Sequence, residues 1–200
     1  MVALLSFKHP FTAICCGSTQ TGKTLFVLSL IDNIEAMVEC SLLLYGISAR
    51  FRRISTISRQ GVPKTTELEE MCDALIIFDD MMMEANSSLL KVFTHGSHHR
   101  QNSVIHIVQN FFNSNKNMRT ISLNAQYLVF FKSPRDSSQF VHLARQMFPH
   151  NSRFAVEAYK LATEQPYSYL LLDLCNEQDE LLRQRSNVFP GERQVVFVPK

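Results

Sequence analysis

The sequence predicts an α/β fold in which a mainly parallel central sheet is flanked by helices. Three observations carry this. Short continuous apolar runs (Phe11 to Cys16, Ser41 to Tyr45, Ala74 to Phe78, Ser103 to Val108, Tyr127 to Phe131) alternate with helix-length amphipathic stretches, the pattern of strands buried on both faces. The first run leads through a glycine-containing loop directly into a helical pattern. The third ends in an acidic pair, Asp79 and Asp80.

The loop is Gly17, Ser18, Thr19, Gln20, Thr21, Gly22, Lys23 and Thr24, and it matches the phosphate-loop spacing G-x-x-x-x-G-K-[ST] in full. Glycines let successive backbone N–H groups turn inward around an anion without Cβ clashes. Lys23 adds a mobile charge near the outer phosphates of a triphosphate such as ATP. Thr24 offers a hydroxyl oxygen to Mg²⁺ at a helix N-terminus, where negative charge is favoured. Such a loop needs an acidic partner. The apolar strand ending at Asp79 and Asp80 supplies it: Asp79 to hold the metal, through water, and Asp80 to polarise or orient the attacking water. Gln109 follows another core strand, where its amide can contact both a γ-phosphate and that water; the plainer alternative is a capping amide in a turn. Together the motifs predict a phosphate-loop NTPase.

Between these landmarks the chain reads in order. Residues 1–9 form a leader closed by Pro10. A helix runs from about Lys23 to Val38. Residues 48–63 hold Arg50, Arg52, Arg53 and Arg59 with almost no acid, either a solvated loop or a surface that contacts a nucleic-acid backbone. Ser87 to Phe93 is helical, capped by Ser87 or Asn86. The histidines His95, His98 and His99 have no cysteine nearby, so zinc is not expected. Residues 113–117 are turn-like and lead to the Tyr127 strand. Helices follow at about Phe140 to Met147, capped by Asp136, and at Arg153 to Thr163. Tyr167 to Leu172 and Val195 to Val198 read as late strands, separated by a charged helical or looped segment around residues 177–185.

Length and composition bound the rest. A chain of 200 residues with 46% hydrophobic content fits one domain (1–200, with 180–200 as a C-terminal segment ending in the last strand) with a full core. The net charge of +2 announces no polyanion partner, so contact with DNA must come from local clusters. No signal peptide or membrane span is expected, which reads as an intracellular, soluble protein. The five cysteines, Cys15, Cys16, Cys40, Cys72 and Cys175, never form C-x-x-C and read as reduced thiols packed as small hydrophobes.

With these residues assembled, the chain resembles the FtsK–HerA superfamily of DNA-translocating ATPases, in particular the genome-packaging ATPases of viruses and of Polinton (Maverick) and adintovirus-like elements. The likeness runs from His9-Pro10-Phe11 to Pro199. Its most discriminating block spans Phe93 to Asn110, where Arg100 precedes a strand that ends in Gln109; the stretches Arg119 to Asn124 and Lys132 to Asp136 continue it. The resemblance implies a three-layer domain of the ASCE, RecA-like class, and ATP hydrolysis with Mg²⁺ coupled to movement of double-stranded DNA. It also implies a ring of identical subunits, usually six, completed by an arginine supplied in trans. Arg100 stands where that arginine is expected, with Arg119 and Arg135 as alternatives. Capsid or terminal proteins are the implied partners, and the host nucleus or a viral assembly site the implied location if the chain is viral. One departure is Asp80, where much of the superfamily has glutamate; the lost methylene shortens its reach, and Glu84 is a possible helper. Two other readings stay open on the motifs alone: a small nucleotide or nucleoside kinase, and an ATP-binding interaction protein with little turnover.

Overall fold

The computed structural model describes residues 7–34, 43–46, 74–79, 90, 93, 101–111, 116–134 and 138–199. Eight strands among them form one sheet: β1 (Thr12–Cys16), β2 (Leu43–Gly46), β3 (Ala74–Asp79), β4 (Ser103–Val108), β5 (Tyr127–Phe131), β6 (Tyr169–Asp173), β7 (Gln184–Ser186) and β8 (Val195–Val196). Their spatial order is β2-β3-β4-β1-β5-β6-β7-β8. The first five of that order pair in parallel, and the last three are added antiparallel. The sheet is therefore mainly parallel, as the apolar runs require.

Helices α1 (Lys23–Asp32), α2 (Lys116–Leu123), α3 (Ser138–Met147) and α4 (Ser152–Ala162) complete the described layers. Side chains alternate across each strand, so the sheet has two apolar faces. Ile14, Ile76, Val104, Leu128 and Leu170 pack with Met118 and Ile121 of α2, Phe140 and Leu143 of α3, and Ala155 and Tyr159 of α4. The opposite face sets Cys15, Leu75, Ile105, Val129 and Leu171 against Phe26, Val27, Leu30 and Ile31 of α1, with Val188 and Phe189. This is a three-layer arrangement in which, among the described residues, α1 is the helix on the second face. Cys15 and Cys16 are buried and Cys175 is half-buried, and among the described residues none of the three is in a disulfide.

Several boundaries differ from the sequence expectations. Residues 116 and 117, expected in a turn, begin α2. The three-residue spacing of Met118 and Ile121, both buried, gives that helix one apolar stripe, which the flanking asparagines and serines obscure. The segment expected to be charged helix or loop contains a 3₁₀ turn (Glu180–Leu182) and then the buried strand β7. Tyr167 lies before β6, not within it, and Val195–Val196 is shorter than expected. Helix α1 is described to its C-cap, Asn33, whose side chain and backbone N–H both donate to the Ser29 carbonyl; its expected continuation to Val38 lies outside the described residues, as do Asp136 and most of 87–93. No helix among the described residues is long and apolar enough to cross a membrane.

Candidate nucleotide site

Parallel pairing brings the tips of β1, β4 and β3 to one edge. Cys15 lies opposite Ile107 in β4, and Ile107 opposite Asp79 in β3. With adjacent strands about 4.8 Å apart, Asp79 sits roughly 10 Å across the edge from β1, with β4 between them. Gly17 and Gln109 follow directly on β1 and β4, and the Gly17 N–H donates to the Val108 carbonyl at 3.3 Å. A cleft of about 740 Å³ opens there, lined by Gln20, Lys23, Thr24, Asp79, Gln109 and Tyr167 among others. Its volume suits a nucleotide.

The loop's shape follows from its glycines and one glutamine. Gly22 has φ +106° and Gln20 φ +64°, so the chain twice enters the left-handed region and turns its N–H groups to one side. At Gly17 the constraint is proximity: a Cβ would lie 2.7 Å from Phe131 Cβ and 2.8 Å from Thr21 Oγ1. Gly22 is the N-cap of α1 and brings no side chain of its own to the first-turn N–H groups, the donors that a helix N-terminus offers to an anion. The Thr21 hydroxyl donates to the Ser18 carbonyl at 2.8 Å, closing the loop on itself.

Lys23 is buried to 9% exposure, and its Nζ donates to the carbonyl oxygens of Gly17 and Ser18, 2.7 Å each. The ammonium is thus held inside the curl of its own loop. The half-buried Asp79 and Thr24, the second residue of α1, line the same cleft. A hydroxyl and a carboxylate are hard oxygen donors of the kind Mg²⁺ takes, while Lys23 and the N–H groups suit phosphate oxygens. The residues fit a magnesium nucleotide. Gln109 turns toward the loop: its Oε1 accepts from Thr19 Oγ1 at 3.4 Å.

Sequence reasoning missed the supports. Ser18 Oγ lies 3.1 Å from Ser133 Oγ, and the Ser133 N–H donates to the Tyr159 hydroxyl at 3.2 Å, while that hydroxyl donates to the Phe131 carbonyl at 3.0 Å. A helix on one face of the sheet thereby steadies the loop after β5 that leans on the phosphate loop. Tyr159 looked like one more apolar position of α4, and nothing local marks it otherwise. Leu25 and Tyr167, which line the cleft's rim, were likewise passed over. Of the other expected site residues, Asp80, Arg100, Arg50, Arg52, Arg53 and Arg59 lie outside the described residues, as do Glu84, Arg135 and the three histidines. Arg119 is described: it is exposed on α2 and lines a separate groove of about 620 Å³ with Leu128 and Met147.

No protein-family model and no curated protein matches the chain. Solved structures do. The genome packaging NTPase B204 from Sulfolobus turreted icosahedral virus 2, in complex with sulfate, superposes with a TM-score of 0.58 at 11% identity, covering 95% of this chain and 97% of that one. The same NTPase in complex with ATP-gammaS gives 0.55 at 9% identity, covering 94% and 97%. The cytoplasmic domain of the Thermomonospora curvata Type VII secretion ATPase EccC gives 0.51 at 12% identity, covering 94% of this chain but 25% of that one. At such identities the likeness concerns the fold. This chain has the α/β fold of a phosphate-loop NTPase, with a mainly parallel sheet whose loop-bearing edge gathers Lys23, Thr24, Asp79 and Gln109.

Proposed function

We propose that the protein is an ATP-hydrolysing motor that moves double-stranded DNA, of the genome-packaging kind. The observation that carries the reading is the single cleft shared by Lys23 and Thr24 of the loop, Asp79 at the tip of β3 and Gln109 at the tip of β4. In this reading Lys23 and the N–H groups of residues 17–24 bind the triphosphate, and Thr24 and Asp79 hold Mg²⁺, which supplies charge neutralisation to phosphoryl transfer. Gln109 reports the γ-phosphate to the loop through Thr19. Asp80 orients the attacking water. Arg100, or Arg119 or Arg135, completes a neighbour's site within a homo-oligomeric ring, six subunits being the working number. Arg50, Arg52, Arg53 and Arg59 touch the DNA backbone. Capsid or terminal proteins would be its partners, and Polinton-like elements are the finer affiliation that the block from Phe93 to Asn110 favours.

The likeness to a genome packaging NTPase over nearly the full length of both chains supports this reading above a nucleotide kinase. The phosphate acceptor separates the two: a motor releases free phosphate, whereas a kinase phosphorylates a small molecule. The test is steady-state release of phosphate from ATP, with and without duplex DNA, across a range of protein concentration. Turnover is expected to rise with both, to fall roughly 10²–10³-fold in Lys23→Ala, and to recover when Arg100→Ala is mixed with Lys23→Ala. Turnover that persists in Lys23→Ala, or a rate indifferent to DNA, defeats the proposal. ATP binding without turnover under all conditions would point instead to an interaction protein.

A further inference from the structure

Among the described residues, the cleft is lined by two large apolar side chains that are exposed. Tyr167 is 62% exposed and Leu25, in the first turn of α1, is 54% exposed, and both line the cleft. Tyr167 has φ +64°, a left-handed conformation that a bulky aromatic residue adopts at a cost. Burial of its ring cannot repay that cost in this chain. The conformation is nonetheless imposed from both sides. The Ser168 N–H and hydroxyl both donate to the Gln165 carbonyl, at 3.3 and 2.7 Å, closing a turn around Tyr167. Immediately after it, Tyr169 is buried and its hydroxyl accepts from the Val188 N–H at 3.0 Å.

The place to which Tyr167 is held is the phosphate loop. A Cβ built on Gly22 would lie 3.2 Å from Tyr167 Cβ and 3.3 Å from both its Cα and its ring Cδ1. A pinned aromatic residue thus abuts the loop glycine that begins α1, with Leu25 on the same rim. The charged end of the cleft is set by Lys23, so the part of a nucleotide that remains is its base, flat and apolar on its faces.

We propose that Leu25 and Tyr167 form a base subsite, in which the base of a nucleoside triphosphate is held by its face against the Tyr167 ring while Lys23 and the loop hold the phosphates. The proposal rests on the nucleotide-binding reading of the cleft and adds which residues position the base. Stacking of this kind is tolerant of base identity and, by truncation, is worth about a tenfold change in affinity.

The test compares two probes, ATP and inorganic tripolyphosphate, in equilibrium binding to the full chain. Tyr167→Gly removes the ring and accepts the positive φ without strain, so the turn is kept. It is expected to weaken ATP about tenfold and to leave tripolyphosphate within about twofold, with Tyr167→Phe restoring ATP affinity. Leu25→Ser is expected to weaken ATP in the same selective way. Equal weakening of both probes would make Tyr167 a mere prop for Gly22 and overturn the subsite. Unchanged ATP affinity in Tyr167→Gly would overturn it too while leaving the phosphate site standing. A wild type that binds neither probe would overturn the cleft as a nucleotide site, and the base subsite with it.

Discussion

Strands β3, β4, β1 and β5 run parallel and are apolar almost throughout, whereas β6 and β7 run antiparallel and carry Asp173, Gln184 and Arg185 into the interior. The two halves of one sheet therefore solve burial differently. In strands β1, β3, β4 and β5 no Asp, Glu, Lys or Arg is buried among the described residues, and Asp79, Gln109 and the phosphate loop meet at one edge. The antiparallel half holds its charge inside, with Arg185 and Asp173 paired and Asp173 Oδ1 also accepting the Cys175 N–H at 3.1 Å. Burial pushes the Arg185 guanidinium down from its ordinary value, and the carboxylate of Asp173 opposes that shift. Reversal of direction also explains why the antiparallel half reaches the site at all. Tyr169 lies opposite Phe131, so the turn before β6 arrives at the edge where β5 ends, while Asp173 lies opposite Tyr127 at the far one. In the proposed reading one half performs chemistry at its edge, and the other contributes stability at depth and a single rim residue.

This division can be broken by exchange of effects. The largest expected effect is on stability: Arg185→Ala strands a buried carboxylate and should cost about 3–5 kcal/mol in urea unfolding, with ATP turnover per folded molecule unchanged. Replacing both partners, Asp173→Leu with Arg185→Met, should recover most of the loss, because two well-packed apolar side chains need no counter-charge. Lys23→Ala should show the reverse, turnover falling roughly 10²–10³-fold with unfolding free energy altered by no more than about 1–2 kcal/mol. A large loss of stability there would erase the distinction between the halves.

The third effect sharpens the picture of the parallel half. His106, in the middle of β4, is fully buried, with its ring edge-on to Phe78 and Phe93 and neither ring nitrogen hydrogen-bonded among the described residues. Burial lowers its pKa from 6.5 to about 4. Between those values the unfolded chain binds the proton and the folded chain does not, so stability is full above pH 6.5 and is lost as pH falls toward 4. The loss should amount to about 3 kcal/mol across that window and should disappear in His106→Leu. Unfolding curves at several pH values read it directly. The smallest effect concerns the surface pair of Lys8 and Glu177, 2.6 Å apart and exposed. Glu177→Gln should leave the unfolding midpoint unchanged within error, since solvent screens such pairs.

Legibility in the sequence divides along the same line. The strands β1, β4 and β5 were readable to within a residue because each is a continuous apolar run bounded by polar or turn residues, a local pattern. The phosphate loop and Asp79 were readable because phosphate chemistry demands those residue types at that spacing, whatever the fold around them. Strand β7 was not, since Gln184, Arg185 and Ser186 carry no strand signature; they are buried because β6 pairs with them and Asp173 receives the guanidinium. Helix α2 was missed for a related reason: two apolar side chains make a helix only when a sheet face lies beneath them.

What the residue order alone determined was the α/β class, a loop with phosphate-loop spacing and the acid at a strand tip, because backbone period and local chemistry act over a few neighbours. Only the folded molecule decided that β4 lies between β1 and β3, so that Gln109 reaches Thr19, and that an antiparallel turn brings Tyr167 onto Gly22. Those contacts join residues far apart in the chain, and strand pairing and packing across the whole sheet set them.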